Sequence, residues 1–372
     1  MYEEKVYQVA LSLVQGIGAV TTKTLISYCG TAKSVFTASK SKLNKIPGIG
    51  NMTAQAIMQF KAFDEAEREL KLCSEKGVQI IFYTDTAYPK RLKHVADAPV
   101  LLYLKGQADL NPARSIAIVG TRNATSYGRE FLQSFMADLK KHNPLVVSGL
   151  AYGIDIAAHK YSLDHNLATL GVMASGMDII YPYNHKGTAA DMCSNNGGLL
   201  TEYKMGTKPD AHNFPSRNRI IAAMADAIIV VEAADRGGAL ITAEIANSYS
   251  RDVFAVPGDV NRTYSKGCNQ LIRNHKANIL TGIKDLEYML NWDVENVVGS
   301  QELATLDLPE DLTEDERLIL DTIKQNDNEI MIDELSWKSQ INLNKLASYL
   351  LNLEFKGIVK ALPGKKYRMI RL

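Results

Sequence analysis

Apolar and polar positions divide the chain into stretches of different period. Residues 1–72 carry helical spacing throughout. From residue 76 to residue 292, short unbroken apolar runs alternate with helical stretches. The runs are Ser115–Gly120, Leu145–Gly149, Ala168–Met173, Ala227–Ala233 and Val253–Gly258. None shows the period-two alternation of a strand with one wet face. Strands buried on both faces have this look, as in a parallel sheet covered by helices. Helices are predicted over Tyr127–His142 and Gly238–Ser250. The alternation predicts an α/β fold with a Rossmann-like, doubly wound, mostly parallel sheet. Several runs end in glycine or another small residue, which puts tight turns at the carboxyl ends of the strands, where such sheets bind ligands.

Residues 293–311 are polar and lack a strong period, so they are expected to form a linker. Residues 312–372 predict a small winged-helix domain. Helices are expected over Leu312–Gln325, Asp333–Ser339 and Asn342–Lys356, the last with leucines at 343, 346, 350 and 353. Strands are expected over Ile358–Leu362 and Tyr367–Ile370, around the turn Pro363-Gly364-Lys365-Lys366. After Lys356 come Lys360, Lys365, Lys366, Arg368 and Arg371 with no acid among them. That wing suits either DNA contact or a protein-contact role. At the other end, Val14–Ile26 and Ile46–Ile57 each contain a Gly-hydrophobic-Gly turn. The second, with Gly48, Ile49 and Gly50, fits a helix-hairpin-helix well, and the first is looser. Such glycines expose backbone N–H groups at a helix start, which can hold a phosphate or merely close a packing turn.

Composition narrows the classes. At roughly 150 residues per domain, 372 residues suggest two or three domains. No apolar run is long enough to span a membrane. The start, Met1 to Gly18, is acidic before it is apolar, unlike a secretory signal, so a cytoplasmic protein is expected. The four cysteines lie far apart with no C-x-x-C pair, which argues against a zinc site and a disulfide framework. Net charge is only +1, so any nucleic-acid surface must be local.

The candidate chemistry sits in the predicted strand-end loops. The first strand is followed by VGTRNATSYG, with no G-x-G-x-x-G dinucleotide fingerprint. Gly120 permits a sharp turn, and Arg122 stands where a helix opens, a combination that suits a phosphate. The next strand leads into SGLAYGID, where Gly149 and Gly153 let backbone approach a ligand. Asp155 and His159 lie four apart on the following helix. With no nucleophile beside them, they read as a helix cap and its structural contact. The densest patch runs from His212 to Ala233. There Phe214, Arg217 and Arg219 combine a ring with two guanidiniums, which is what base stacking with backbone neutralisation requires. A core Phe with two solvated arginines fits the same composition. Lys204, Lys208, Arg262, Lys266 and Arg273 add basic groups in adjacent loops.

The segments VGTRNATSYG, SGLAYGIDIAAH, SGMDIIYPYNH, TEYKMG, NFPSRNRIIAAMADAIIVVEA, GGALITAEIA, VFAVPGD and SKGCNQLI, in this order, resemble the DNA-processing protein A (DprA/Smf) family. The resemblance implies a Rossmann-like domain of the SLOG type and a C-terminal winged helix in some members. It implies binding of single-stranded DNA and loading of the recombinase RecA during natural transformation. It further implies a homodimer through the Rossmann-like domain, and neither catalytic residues nor a cofactor. Carried over by motif, Arg122 would bind phosphate, while Gly120, Ser148 and Gly149 would offer backbone or hydroxyl donors. Asn213 and Phe214 would hold and stack a base. Arg217 and Arg219 would neutralise phosphate or brace the pocket, and Lys266 would contribute. The chain departs from the pattern at Ala174, where many relatives have glycine, and at Asn274-His275-Lys276-Ala277, where many have a Gly-Ala pair.

An enzymatic alternative comes from Arg236 to Glu244, which resembles the P-G-G-x-G-T-x-x-E turn of nucleotide phosphoribohydrolases. The proline is absent, and a bulky Leu240 or Ile241 replaces the third glycine. A bulky side chain there would crowd phosphate away from the backbone. A protein-contact scaffold with weak DNA binding is the third reading.

Overall fold

Among the described residues nine strands form one sheet: β1 (Val78–Phe82), β2 (Leu101–Gly106), β3 (Ser115–Val119), β4 (Leu145–Ser148), β5 (Thr169–Val172), β6 (Gly198–Thr201), β7 (Ala227–Val230), β8 (Asp252–Ala255) and β9 (Asn278–Ile279). Their spatial order is β1-β2-β6-β5-β4-β3-β7-β8-β9. Strands β3 to β9 pair in parallel, while β2 joins β6 and β1 joins β2 antiparallel. The five unbroken apolar runs are the interior strands β3, β4, β5, β7 and β8. Every residue of β3, β4, β5 and β7 is buried. The structure is a computed structural model that describes residues 2–292, 312–326, 329–362 and 366–369.

Alternate residues along each inner strand enter different cores. Ala117, Val119, Ile228 and Val230 pack with Ile220, Ile221, Ala239 and Ala243 of the helices Asn213–Met224 and Gly238–Ser248. Ile116, Ile118, Ile229 and Val231 pack with Leu132, Phe135, Ile154 and Leu286 of the helices Ser126–Leu139, Ile154–Asp164 and Ile283–Leu290. Each fully buried Val or Ile contributes roughly 1.5–3 kcal/mol relative to exposure. Helices on both faces explain why the strand sequences lack alternation.

A third core joins the N-terminal helices to the antiparallel edge. Val9, Leu11, Leu25, Val35 and Ile57 pack with Ile80, Phe82 and Tyr103 of β1 and β2. The two Gly-hydrophobic-Gly turns share one geometry. Gly16 and Gly48 have φ of +80° and +79°. Gly18 and Gly50 are the N-caps of Ala19–Cys29 and Asn51–Gln59, and Ile17 and Ile49 are buried between them. The first copy, looser in sequence, is therefore the same turn in space.

The chain divides into two compact units, Met1–Trp292 and Asp293–Leu372. The second has helices Glu314–Lys324, Ile332–Ser339 and Leu343–Phe355, with strands β10 (Glu329–Met331), β11 (Val359–Leu362) and β12 (Lys366–Met369) in the order β10-β12-β11. This is a winged helix with its own core of Ile319, Ile323, Leu335, Leu346, Leu350 and Leu353. The expected linker 293–311, the turn residues 363–365, Ile370 and Arg371 lie outside the described residues. The wing is less bare of acid than its sequence suggests. Glu329, on the neighbouring β10, pairs with Lys366 at 3.0 Å and Arg368 at 2.6 Å.

All four cysteines are free, with Cys73 and Cys268 buried. Burial pushes both thiols up to about 12. Among the described residues no group of His, Cys, Asp or Glu is placed to hold a metal ion, and no helix is long and apolar enough to cross a membrane.

Candidate functional site

Topology fixes where a cleft opens. From β3 the chain runs outward one way through β4, β5 and β6, then returns and runs the other way through β7, β8 and β9. The loops after β3 and β7 therefore diverge, and a crevice is left beyond their carboxyl ends. A cleft of about 800 Å³ occupies this point. Gly120, Thr121, Arg122 and Asn123 line it after β3, and Ala233, Ala234, Arg236, Gly237 and Gly238 line it after β7. Phe214, Arg217 and Asn218 come from the helix Asn213–Met224.

The loop bearing Arg122 is held from beneath. Gly120 packs so closely on Ile154 that a Cβ there would meet its side chain at 2.5 Å. Thr121 N–H donates to the Glu232 carbonyl at 2.7 Å, and the Thr121 carbonyl accepts from Ile154 N–H at 3.1 Å. The buried Glu232 carboxylate takes the Thr125 N–H at 2.9 Å and the Thr125 hydroxyl at 2.5 Å. Thr125 in turn caps the helix Ser126–Leu139 by accepting from Gly128 N–H. Gly153 has φ +77°, and a Cβ there would strike the Thr121 carbonyl. Arg122 itself is exposed and makes no ion pair among the described residues. Its guanidinium carbon lies 5.5 Å from the centre of the Phe214 ring. The Tyr181 ring approaches Phe214 at 5.8 Å with a 55° tilt. A cation and two rings thus stand together at the cleft.

Arg217 lies at the bottom of the cleft and is only 4% exposed. Its Nη1 donates to the Gly149 carbonyl at 2.7 Å and to the Val172 carbonyl, and its Nε donates to Asn218 Oδ1 at 3.2 Å. Burial lowers its pKa to about 10, with Asp155 opposing, so it stays charged at neutral pH. Asp155 is buried as well. Burial raises its pKa, against the pull of Arg217 and of the Ala151 and Gly149 N–H groups. A Cβ on Gly149 would meet Arg217 Nη2 and Asp155 Oδ2, both at 2.7 Å, so only glycine fits between them.

Of the residues singled out in the sequence, Gly120, Arg122, Phe214 and Arg217 come together at this cleft. The others depart from expectation. The Ser148 hydroxyl is buried and donates to the Ile118 carbonyl at 2.6 Å. Gly149 N–H donates to Asp155 at 3.1 Å. Neither donor is open to a ligand. Asn213 is spent on the scaffold: its Nδ2 donates to the Ala174 carbonyl at 3.2 Å. Arg219 turns away from the cleft and pairs with Glu202. Residues two apart on a helix point about 200° apart, so Arg217 and Arg219 cannot share a face. Lys266 is exposed but does not line the cleft, nor do Lys204, Lys208, Arg262 and Arg273. Lys204 pairs with Glu65 at 2.7 Å.

Asp155 does not cap its helix, whose N-cap is Gly153, and His159 has a different partner. The Thr169 hydroxyl donates its one proton to the Val146 carbonyl at 2.9 Å. It must therefore accept from His159 Nδ1, 2.7 Å away. His159 Nε2 is left buried without a partner among the described residues. Burial, with His185 and Arg217 nearby, lowers its pKa to about 3, so the ring is neutral. Sequence reasoning passed over Tyr181 and Arg236 as lining residues. A tyrosine and an arginine after strand ends were the available signals.

A family model described as DNA recombination-mediator protein A matches residues 79–291. A second, described as the DprA winged helix domain, matches residues 304–365. The chain is 30% identical over 397 residues to Protein Smf of Synechocystis sp., covering 98% of each. It resembles the X-ray structure of DNA processing protein A (DprA) from Streptococcus pneumoniae with a TM-score of 0.64 and 30% identity, over 77% of this chain and 97% of that one. It also resembles DNA processing protein A from Helicobacter pylori, described for its unique single-stranded DNA binding mode, with a TM-score of 0.52 and 28% identity, over 58% of this chain and 97% of that one.

Proposed function

The chain belongs to the DNA recombination-mediator protein A family, and from that premise we propose that it binds single-stranded DNA in the cleft and loads RecA onto it, with no catalysis of its own. The observation that carries this reading is Arg122, in no ion pair among the described residues and set against the Phe214 ring at the cleft. A guanidinium with no carboxylate partner takes a phosphate, and a half-buried ring lining a cleft can stack a base of any sequence. Backbone neutralisation makes such binding salt-dependent, and stacking makes it sequence-tolerant. Natural transformation, with incoming single strands, is the setting that fits.

Fluorescence anisotropy with a labelled oligothymidine tests it. Phe214→Ala removes a stacking platform valued at about 1–3 kcal/mol per base, so affinity is expected to fall roughly 5- to 150-fold. Arg122→Ala is expected to weaken binding and flatten its salt dependence. Unchanged affinity in both variants contradicts the cleft as the binding site.

The position of Glu244 speaks against the enzymatic alternative. Glu244 lies outside the cleft lining and pairs with Lys276 at 2.7 Å, with both side chains about half exposed. Release of free base from a nucleotide would revive that alternative. A homodimer through the Rossmann-like unit belongs to the same proposal. A strict monomer by light scattering at high concentration counts against it, and an unchanged rate of RecA filament assembly counts against loading.

A further inference from the structure

Behind the Arg122 loop a second groove opens, about 700 Å³ in volume, and Arg122 and Asn123 line both it and the cleft. Arg129 reaches it from the helix Ser126–Leu139, and Lys160 and Tyr161 from the helix Ile154–Asp164, with Tyr152 on the turn between. Three cations line this groove and no carboxylate does. In a chain of net charge +1 that is a local concentration of positive potential. Arg129 and Lys160 are exposed and enter no ion pair among the described residues. Arg129 donates one bond, from Nη1 to the Ala124 carbonyl at 2.7 Å, which leaves its other nitrogens to solvent. Tyr152 is 44% exposed, its ring held edge-on to His185 at 4.9 Å.

Cations interleaved with rings along a groove are the general recipe for an unpaired strand. The groove also begins where the cleft ends. A phosphate bound at Arg122 would stand on the wall common to both, and the backbone that leaves it would have unpaired positive charge ahead. We infer that this groove is a second subsite, which carries the same DNA strand onward from the cleft with its phosphates at Arg129 and Lys160. The inference rests on the single-stranded-DNA reading of the cleft and adds a direction and a length to it. The cleft holds a short segment, and the groove takes the nucleotides beyond.

Anisotropy with two oligothymidines, about four and about sixteen nucleotides long, separates the two subsites. Lys160→Glu, at a side chain with no hydrogen bond among the described residues, and Lys160→Glu combined with Arg129→Ala are compared with the unaltered chain. The unaltered chain is expected to bind the long strand more tightly than the short one. The double variant should bind the short strand as before, lose about tenfold on the long one, and show a shallower salt slope, by about 0.7 per phosphate contact removed. Lys160→Glu alone should move the same way. Long-strand affinity and salt slope unchanged in both variants overturn the second subsite while leaving the cleft intact. Failure of the unaltered chain to bind either strand overturns the cleft reading and this inference with it. Binding of polyglutamate that the double variant abolishes, with long-strand DNA binding untouched, assigns the groove to an acidic protein segment and also overturns the inference.

Discussion

A guanidinium that already donates to two main-chain carbonyls has few donors left for a ligand. Arg217 is in that position, so it braces the cleft, and in the proposed binding mode contact with phosphate falls to Arg122. Truncation would leave the Gly149 and Val172 carbonyls and the Asp155 carboxylate buried beside an empty space. Stranding buried acceptors costs about 1–3 kcal/mol each, so Arg217→Ala, which strands two carbonyls, is expected to lose at least that much stability in urea titration. Arg217→Lys should recover little, because an ammonium cannot reproduce the fork. A loss under about 1 kcal/mol for the alanine variant would show the bracing to be dispensable. His159 gives a second test. Its pKa falls from 6.5 in the unfolded chain to about 3 in the fold. Between those values the unfolded state binds more protons, so stability is full above about pH 6.5 and is lost as pH falls toward 3. The slope from this one group is at most about 1.4 kcal/mol per pH unit. His159→Gln should flatten the stability profile in that window, and an equal slope in both proteins would assign the acid sensitivity elsewhere.

At the scale of elements, the position of Arg122 depends on how the loop after β3 is held. Glu232, at the end of β7, takes both the N–H and the hydroxyl of Thr125 and so ties the Arg122 loop to the neighbouring strand. Glu232→Ala should cost about 1–3 kcal/mol in stability, the penalty for stranding buried donors, and should also weaken single-strand binding by loosening Arg122. Glu232→Gln, which still accepts a hydrogen bond, should retain more of both. Equal binding in the alanine variant would mean the loop needs no such tether. The same scale shows what the sequence revealed and what it concealed. Strands β3, β4, β5, β7 and β8 were legible because burial on both faces leaves an unbroken apolar run. Strands β1, β2 and β6 did not stand out. Gln79 interrupts β1, and β6 begins at Gly198 after Gly197, a pair that reads as a turn. Gly198 is needed there because a Cβ would meet the Lys105 carbonyl at 2.6 Å across the β2–β6 pairing. The helix Asn213–Met224 starts before both arginines, with Pro215 in its first turn, where proline is tolerated. As neighbours in sequence Arg217 and Arg219 look like equal partners, whereas helical geometry puts them on opposite sides.

At the scale of the molecule, a nearly neutral chain concentrates its binding charge by topology. The sheet reverses its winding at β3, and that reversal sets the loop of Arg122 beside the helix of Phe214. Net charge could not reveal this, since contacts such as Arg219–Glu202 and Lys204–Glu65 cancel much of the positive charge elsewhere. The family motifs located the loops, but only three-dimensional packing separated the side chains that face the cleft from those that support it. The most direct measurement is a crystal structure of this chain with a short oligothymidine. A base is expected against the Phe214 ring, with a phosphate within hydrogen-bonding distance of the Arg122 guanidinium. A strand bound elsewhere, with neither side chain touching DNA, would contradict it.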